Sequence, residues 1–123
     1  MTALHLAVAE GSPKVADVLL RRKAKLQTRD RSNLTPLHTA ARIGRVEMAR
    51  ALLSHGADVE AKDVEFQAPI HYAAVGGFHA VVDALLDKKA NIESPGRALK
   101  TPLMQASEAG AEETVKLLLK RKA

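Results

Sequence analysis

Thr35-Pro36-Leu37-His38 decides how the chain is read. Near copies stand at Thr2-Ala3-Leu4-His5, Ala68-Pro69-Ile70-His71 and Thr101-Pro102-Leu103-Met104, each 33 residues from the next. A constant period of this length marks a stack of small units, none of which buries a core alone. Thr35 offers a hydroxyl to the free N–H groups of a first helical turn. Pro36 suits the first helical position, where its missing donor costs nothing. The spacing predicts a helix that starts at Pro36, carries Leu37, Ala40 and Ala41, and stops at Gly44, a residue that takes the left-handed conformation closing many helices. Pro69 and Pro102 mark the same start in later units.

A second helix follows in each unit, with apolar residues at i, i+3 and i+4: Ala16, Leu19 and Leu20; Ala49, Leu52 and Leu53; Val82, Leu85 and Leu86; Val115, Leu118 and Leu119. An apolar residue precedes each triplet at Val15, Met48 and Val81, with Thr114 the exception. So wide an apolar face fits a helix packed between two neighbours. The polar stretch after it, such as Gly56-Ala57-Asp58-Val59-Glu60-Ala61-Lys62-Asp63, is too short for a helix and reads as a projecting turn or hairpin.

TPLH opening a helix, paired alanines and a glycine closing it, a Leu-Leu helix and then Gly-Ala-Asp resemble the ankyrin repeat, over nearly the whole chain. The resemblance implies an all-α solenoid of stacked helix-turn-helix units joined by β-turn or hairpin fingers. It implies one array, with repeats at about 1–29 (lacking its finger), 30–62, 63–95 and 96–123 (cut short). It further implies that fingers and first helices form a concave surface that binds other proteins, and that His5, His38 and His71 hydrogen-bond the backbone of the neighbouring finger.

Departures from the pattern carry expectations of their own. The family places Asp and, three residues later, Gly ahead of TPLH; here the pairs are Asp30 with Asn33, Asp63 with Phe66, and Gly96 with Leu99. Asn tolerates a positive φ, whereas Phe and Leu do so poorly, so the second and third fingers are expected to leave the usual turn, with Ser94-Pro95-Gly96 kinking the third. Ala68 lacks the capping hydroxyl, which weakens the start of its helix by about 0.5–2 kcal/mol. Both ends of the chain fall within a repeat and neither carries a polar capping unit, which is expected of a piece of a longer array with ends that self-associate.

Three aromatic residues, Phe66, Tyr72 and Phe78, and no Trp leave an aliphatic core of Leu, Val and Ala. Nineteen Lys and Arg against fourteen Asp and Glu, a net charge of +5, favour acidic partners. Without cysteine there are no disulfides or thiolate metal sites. The opening MTALHLAVAEG has no basic stretch followed by an apolar one, and no window approaches about 18 continuous apolar residues, so an intracellular location, cytoplasmic or nuclear, is expected.

The histidines invite a metal or acid–base role, yet one per repeat at a stacking distance of roughly 10 Å does not converge on an ion. No G-x-S-x-G, H-E-x-x-H or phosphate-binding glycine loop occurs, and Glu112-Glu113 suits the first turn of a helix. Neither catalysis nor a cofactor, metal or small-molecule substrate is therefore expected. The runs Arg21-Arg22-Lys23 and Lys120-Arg121-Lys122 would serve nucleic acid, but cations at helix C-termini already complement the dipole and few aromatics are present to stack bases. The leading expectation is a protein–protein interaction scaffold, against a passive spacer or a self-associating module. Its contact candidates are the positions the repeat leaves free: Arg29, Arg31, Leu34, Lys62, Val64, Glu65, Phe66, Arg97 and Lys100 on the fingers, and Arg42, Ile43, Val75 and Glu108 on first helices. The expected partner surface is acidic, or acidic and apolar, with Phe66 the sharpest candidate for an interface anchor.

Overall fold

A computed structural model describes residues 3–10, 12–21 and 29–121; Thr2, Arg22, Lys23 and Lys122 lie outside them. The described residues form four helix pairs: α1 (Ala3–Glu10) with α2 (Pro13–Arg21), α3 (Pro36–Ile43) with α4 (Val46–Ser54), α5 (Pro69–Gly76) with α6 (His79–Asp87), and α7 (Pro102–Ala109) with α8 (Glu112–Lys120). First helices α1, α3, α5 and α7 pack side by side in one layer, and second helices α2, α4, α6 and α8 in another. No strand occurs among the described residues.

Local chemistry places the helix ends where the repeat predicts. Thr35 Oγ1 accepts the His38 N–H at 3.3 Å, while the Thr35 N–H donates to His38 Nδ1 at 3.1 Å, so threonine and imidazole cap the same turn reciprocally. At α5, Ala68 has no hydroxyl, but its N–H still donates to His71 Nδ1 at 3.0 Å. At α7, Thr101 Oγ1 accepts the Met104 N–H without a return bond to an imidazole. Gly44, Gly77 and Gly110 close α3, α5 and α7 with positive φ. Ala40, Ala41, Ala73, Ala74 and Ala106 are fully buried between the layers, and their small volume lets the helices approach. Leu37, Met48, Leu52, Ile70, Val81, Leu85 and Leu118 fill the space around them.

Gly76, the last residue of α5, has a packing function. A Cβ on it would sit 2.4 Å from Phe78 Cε2, and one on Gly44 would sit 2.6 Å from the same ring. Phe78 thus lies in a cradle of two glycines from successive pairs, joining them on the side chain's own terms.

Thr114 is fully buried and its Oγ1 has no hydrogen-bond partner among the described residues. Equivalent positions hold Val15, Met48 and Val81, so the hydroxyl is a polar group in an apolar slot. Thr114→Val keeps the shape and removes the unmet desolvation. It is expected to stabilise the array by about 1 kcal/mol, seen as a raised urea midpoint; an unchanged or lower midpoint would mean the hydroxyl is satisfied.

Candidate functional site

The surface above the first helices is built by three fingers. In the first, the Asp30 N–H donates to Leu34 O and the Asn33 N–H to Asp30 O, while Asp30 Oδ1 accepts the N–H groups of Ser32 and Leu34. The second finger repeats every one of these bonds with Asp63, Glu65, Phe66 and Gln67. Phe66 accordingly sits at φ 63, beside Asn33 at φ 65. The expectation that this finger leaves the usual turn is therefore corrected: the Asp63 carboxylate and the helices on either side impose the turn, and the phenylalanine accepts it.

The third finger does differ. Ala98 and Leu99 both have positive φ, at 55 and 60, within a tight turn over Arg97–Leu99. Gly96 replaces the turn aspartate, and the Arg97 N–H donates instead to Gln67 Oε1 at 2.7 Å. Between the first two fingers a backbone bond runs from the Val64 N–H to Ser32 O; at the next junction the Gln67 side chain takes its place. Gln67 and Gln105, both buried, exchange reciprocal amide bonds of 2.9 Å.

The histidines act as cross-braces. His5 Nε2 is 3.0 Å from Leu34 O and His38 Nε2 is 2.8 Å from Gln67 O, both carbonyls at the finger's far end. His71 Nε2 is 2.8 Å from Ser94 O instead, on the near side of its finger. With Nδ1 of His38 and His71 accepting a backbone N–H, Nε2 carries the proton and donates. Burial pushes the pKa of both below the ordinary imidazole value, so both stay neutral. No group of three or more His, Asp or Glu among the described residues could hold a metal ion.

Several expected contact residues turn out to hold fingers together. Arg29 Nη1 donates to Asn33 O and Lys62 O, and Lys62 Nζ, one repeat later, donates to Ser94 Oγ and Pro95 O. Arg97 pairs with Glu65 at 2.8 Å across adjacent fingers, and Lys100 with Glu108 at 2.7 Å. The Tyr72 hydroxyl donates to Asp63 Oδ2. Burial and that carboxylate hold the phenol proton firmly; burial alone would raise the Asp63 pKa, but the Tyr72 hydroxyl and the Gln67 and Glu65 N–H groups outweigh it and the pKa falls. Leu34 is a correction: at 5% exposure it belongs to the core under the finger and cannot meet a partner. Of the basic runs, Arg21 pairs with Asp17 and Arg121 with Asp83 and Asp87, so these two arginines already have counter-charges.

Exposed apolar groups remain at Ile43 and Val75 on the first helices and at Val64 and Phe66 on the fingers, with Leu99 a further one that the sequence reading left out. Its signal was its place, equivalent to Phe66. Arg31 and Arg42 are exposed and form no ion pair among the described residues. Two clefts flank the third finger. The inner one, about 320 Å³, lies between Val75, Gln105 and Ala109 of the helices and Arg97, Ala98 and Lys100 of the finger. The outer one, about 610 Å³, runs between Phe66 and Leu99 over Pro95, Lys62 and Asn91. Ala98 lines both, so Phe66 and Val75 lie on opposite sides of the third finger's tip.

No helix among the described residues is long and apolar enough to cross a membrane. No curated protein matches the chain at a significant level. The sequence model of ankyrin repeats (3 copies), a family of protein–protein interaction modules, matches residues 1–63 and again 64–123. Two matches that together take in every repeat, on a stack whose three fingers are each braced by a histidine, show that the chain belongs to the ankyrin repeat family.

Proposed function

We propose that the chain is a non-catalytic scaffold that holds a protein partner on its concave face, and that the partner presents an acidic or mixed acidic and apolar segment. The observation that carries this reading is Arg42, exposed and without a counter-charge among the described residues, next to Ile43 and one repeat along from Val75, which are 37% and 47% exposed. Arg31 adds a second unmatched cation on the first finger. Elsewhere on this face Arg97 and Lys100 are already neutralised by Glu65 and Glu108. An acidic group therefore gains most beside Arg42, and apolar side chains gain beside Ile43 and Val75.

The test is affinity capture on the immobilised chain, with Arg42→Glu/Val75→Asp as the comparison and mass spectrometry as the readout. Both positions are exposed, so the variant should fold as the parent does. One or more proteins should be retained by the parent and reduced about tenfold or more on the variant. Equal retention on both, or material whose retention depends on nucleic acid, would overturn the proposal.

A further inference from the structure

We infer that the outer cleft between the second and third fingers seats a bulky, uncharged apolar side chain of that same partner segment, whose acidic part lies on the concave face. This rests on the concave reading above and specifies where the apolar part goes.

Phe66 and Leu99 stand at the same finger position as Asn33, and all three have left-handed backbone. Asparagine adopts that conformation readily, while phenylalanine and leucine adopt it at a conformational cost. Burial does not repay them, for Phe66 remains 71% and Leu99 80% exposed. Two adjacent fingers therefore hold large apolar groups outward on unfavourable backbone, an arrangement that marks a binding position better than a folding one. The cleft between them exists because the third finger does not repeat the backbone bond joining the first two; the Gln67 side chain stands in its place.

Charge selects the occupant. Inside the cleft Lys62 Nζ is held by Ser94 Oγ and Pro95 O, and Glu60 Oε1 accepts the Asn91 N–H. Arg97 and Glu65, next in sequence to the lining residues Ala98 and Phe66, neutralise one another. The two lining charges, Lys62 and Glu60, are of opposite sign and each is already hydrogen-bonded, so the cleft carries no net charge to repay the dehydration of an ion, whereas an apolar group loses no hydration. Arg31 and Arg42, two cations without an ion pair among the described residues, belong to the concave side. Since Ala98 lines both clefts, an extended segment crossing the finger tip, at about 3.3 Å per residue, reaches both within a few residues.

Random twelve-residue peptides displayed on phage and selected on the whole chain supply the probe, and the enriched peptide is synthesised for calorimetric titration. Phe66→Asn/Leu99→Asn gives both fingers the residue found in the first. The expected result is a Kd raised about tenfold or more with a urea midpoint equal to or above that of the parent, and a separate loss for Arg42→Glu. Wild-type affinity in the finger variant with loss in Arg42→Glu overturns this inference and leaves the concave reading standing. Loss in the finger variant alone keeps the cleft and overturns the concave reading. Wild-type affinity in both variants, or no enriched sequence, overturns both. A lowered midpoint in the finger variant would show that the outward side chains serve folding, and would overturn the cleft.

Discussion

Replacing His38 by alanine is expected to lower the stability of the array by about 3–5 kcal/mol, measured by urea unfolding. The imidazole is fully buried and bonds two backbone groups that have no route to water, the Thr35 N–H and Gln67 O. Truncation leaves the Thr35 N–H unmet and Gln67 O with only the Asp63 N–H, opens a cavity in the layer of first helices, and removes an edge-on contact with Tyr72 at 5.9 Å. A loss below about 1 kcal/mol would show that the finger holds its place without the brace. The same bonds set a pH dependence. His38 and His71 have pKa values depressed chiefly by burial, so their contribution is complete above the ordinary value of 6.5. Below it the unfolded chain takes up protons first, and stability falls until the depressed folded values are passed. Asp63, also depressed, adds its own loss only below 3.8. Unfolding followed from pH 8 downward should therefore steepen first near 6.5, and less so in His38→Ala.

Gly96→Ala is expected to cost about 2–4 kcal/mol, although alanine differs by one methyl group. The added Cβ would lie 2.3 Å from Gln67 Oε1 and 2.7 Å from His71 Nε2. Neither atom is free to move: Gln67 is locked to Gln105 and the Arg97 N–H, and His71 to Ser94 O. Relief of the contact breaks the junction between the second and third fingers. Gly110→Ala is the control, since φ there is 73 but nothing lies within 4 Å, and only backbone strain of about 1 kcal/mol is expected. Equal effects of the two substitutions would show that the contact at 96 is relieved at little cost and does not select glycine there.

Much of the candidate site was legible only as a set of free positions. Arg29 and Lys62 read as partner contacts because each is a polar residue at a position the repeat does not prescribe. Their hydrogen bonds to Lys62 O and Pro95 O depend on how closely successive fingers stack, which spacing along one chain does not reveal. Leu34 read the same way, and its burial follows from the finger folding down onto the first helices. Backbone propensity alone has Phe66 distort its turn; the Asp63 carboxylate, which holds the turn from inside, overrides it.

By itself the sequence determined the family, the helix starts at Pro36, Pro69 and Pro102, the closing glycines and the apolar faces. Each of these depends on interactions within a few residues, and the 33-residue period repeats them until chance is excluded. Tertiary structure alone decided the rest. Gln67 meets Gln105 across 38 residues, Gly96 is kept small by a neighbouring finger, and the third finger opens a cleft on each side of its tip. These are contacts between one repeat and the next, where the copies differ, and what they form depends on which side chains face each other once the units are stacked.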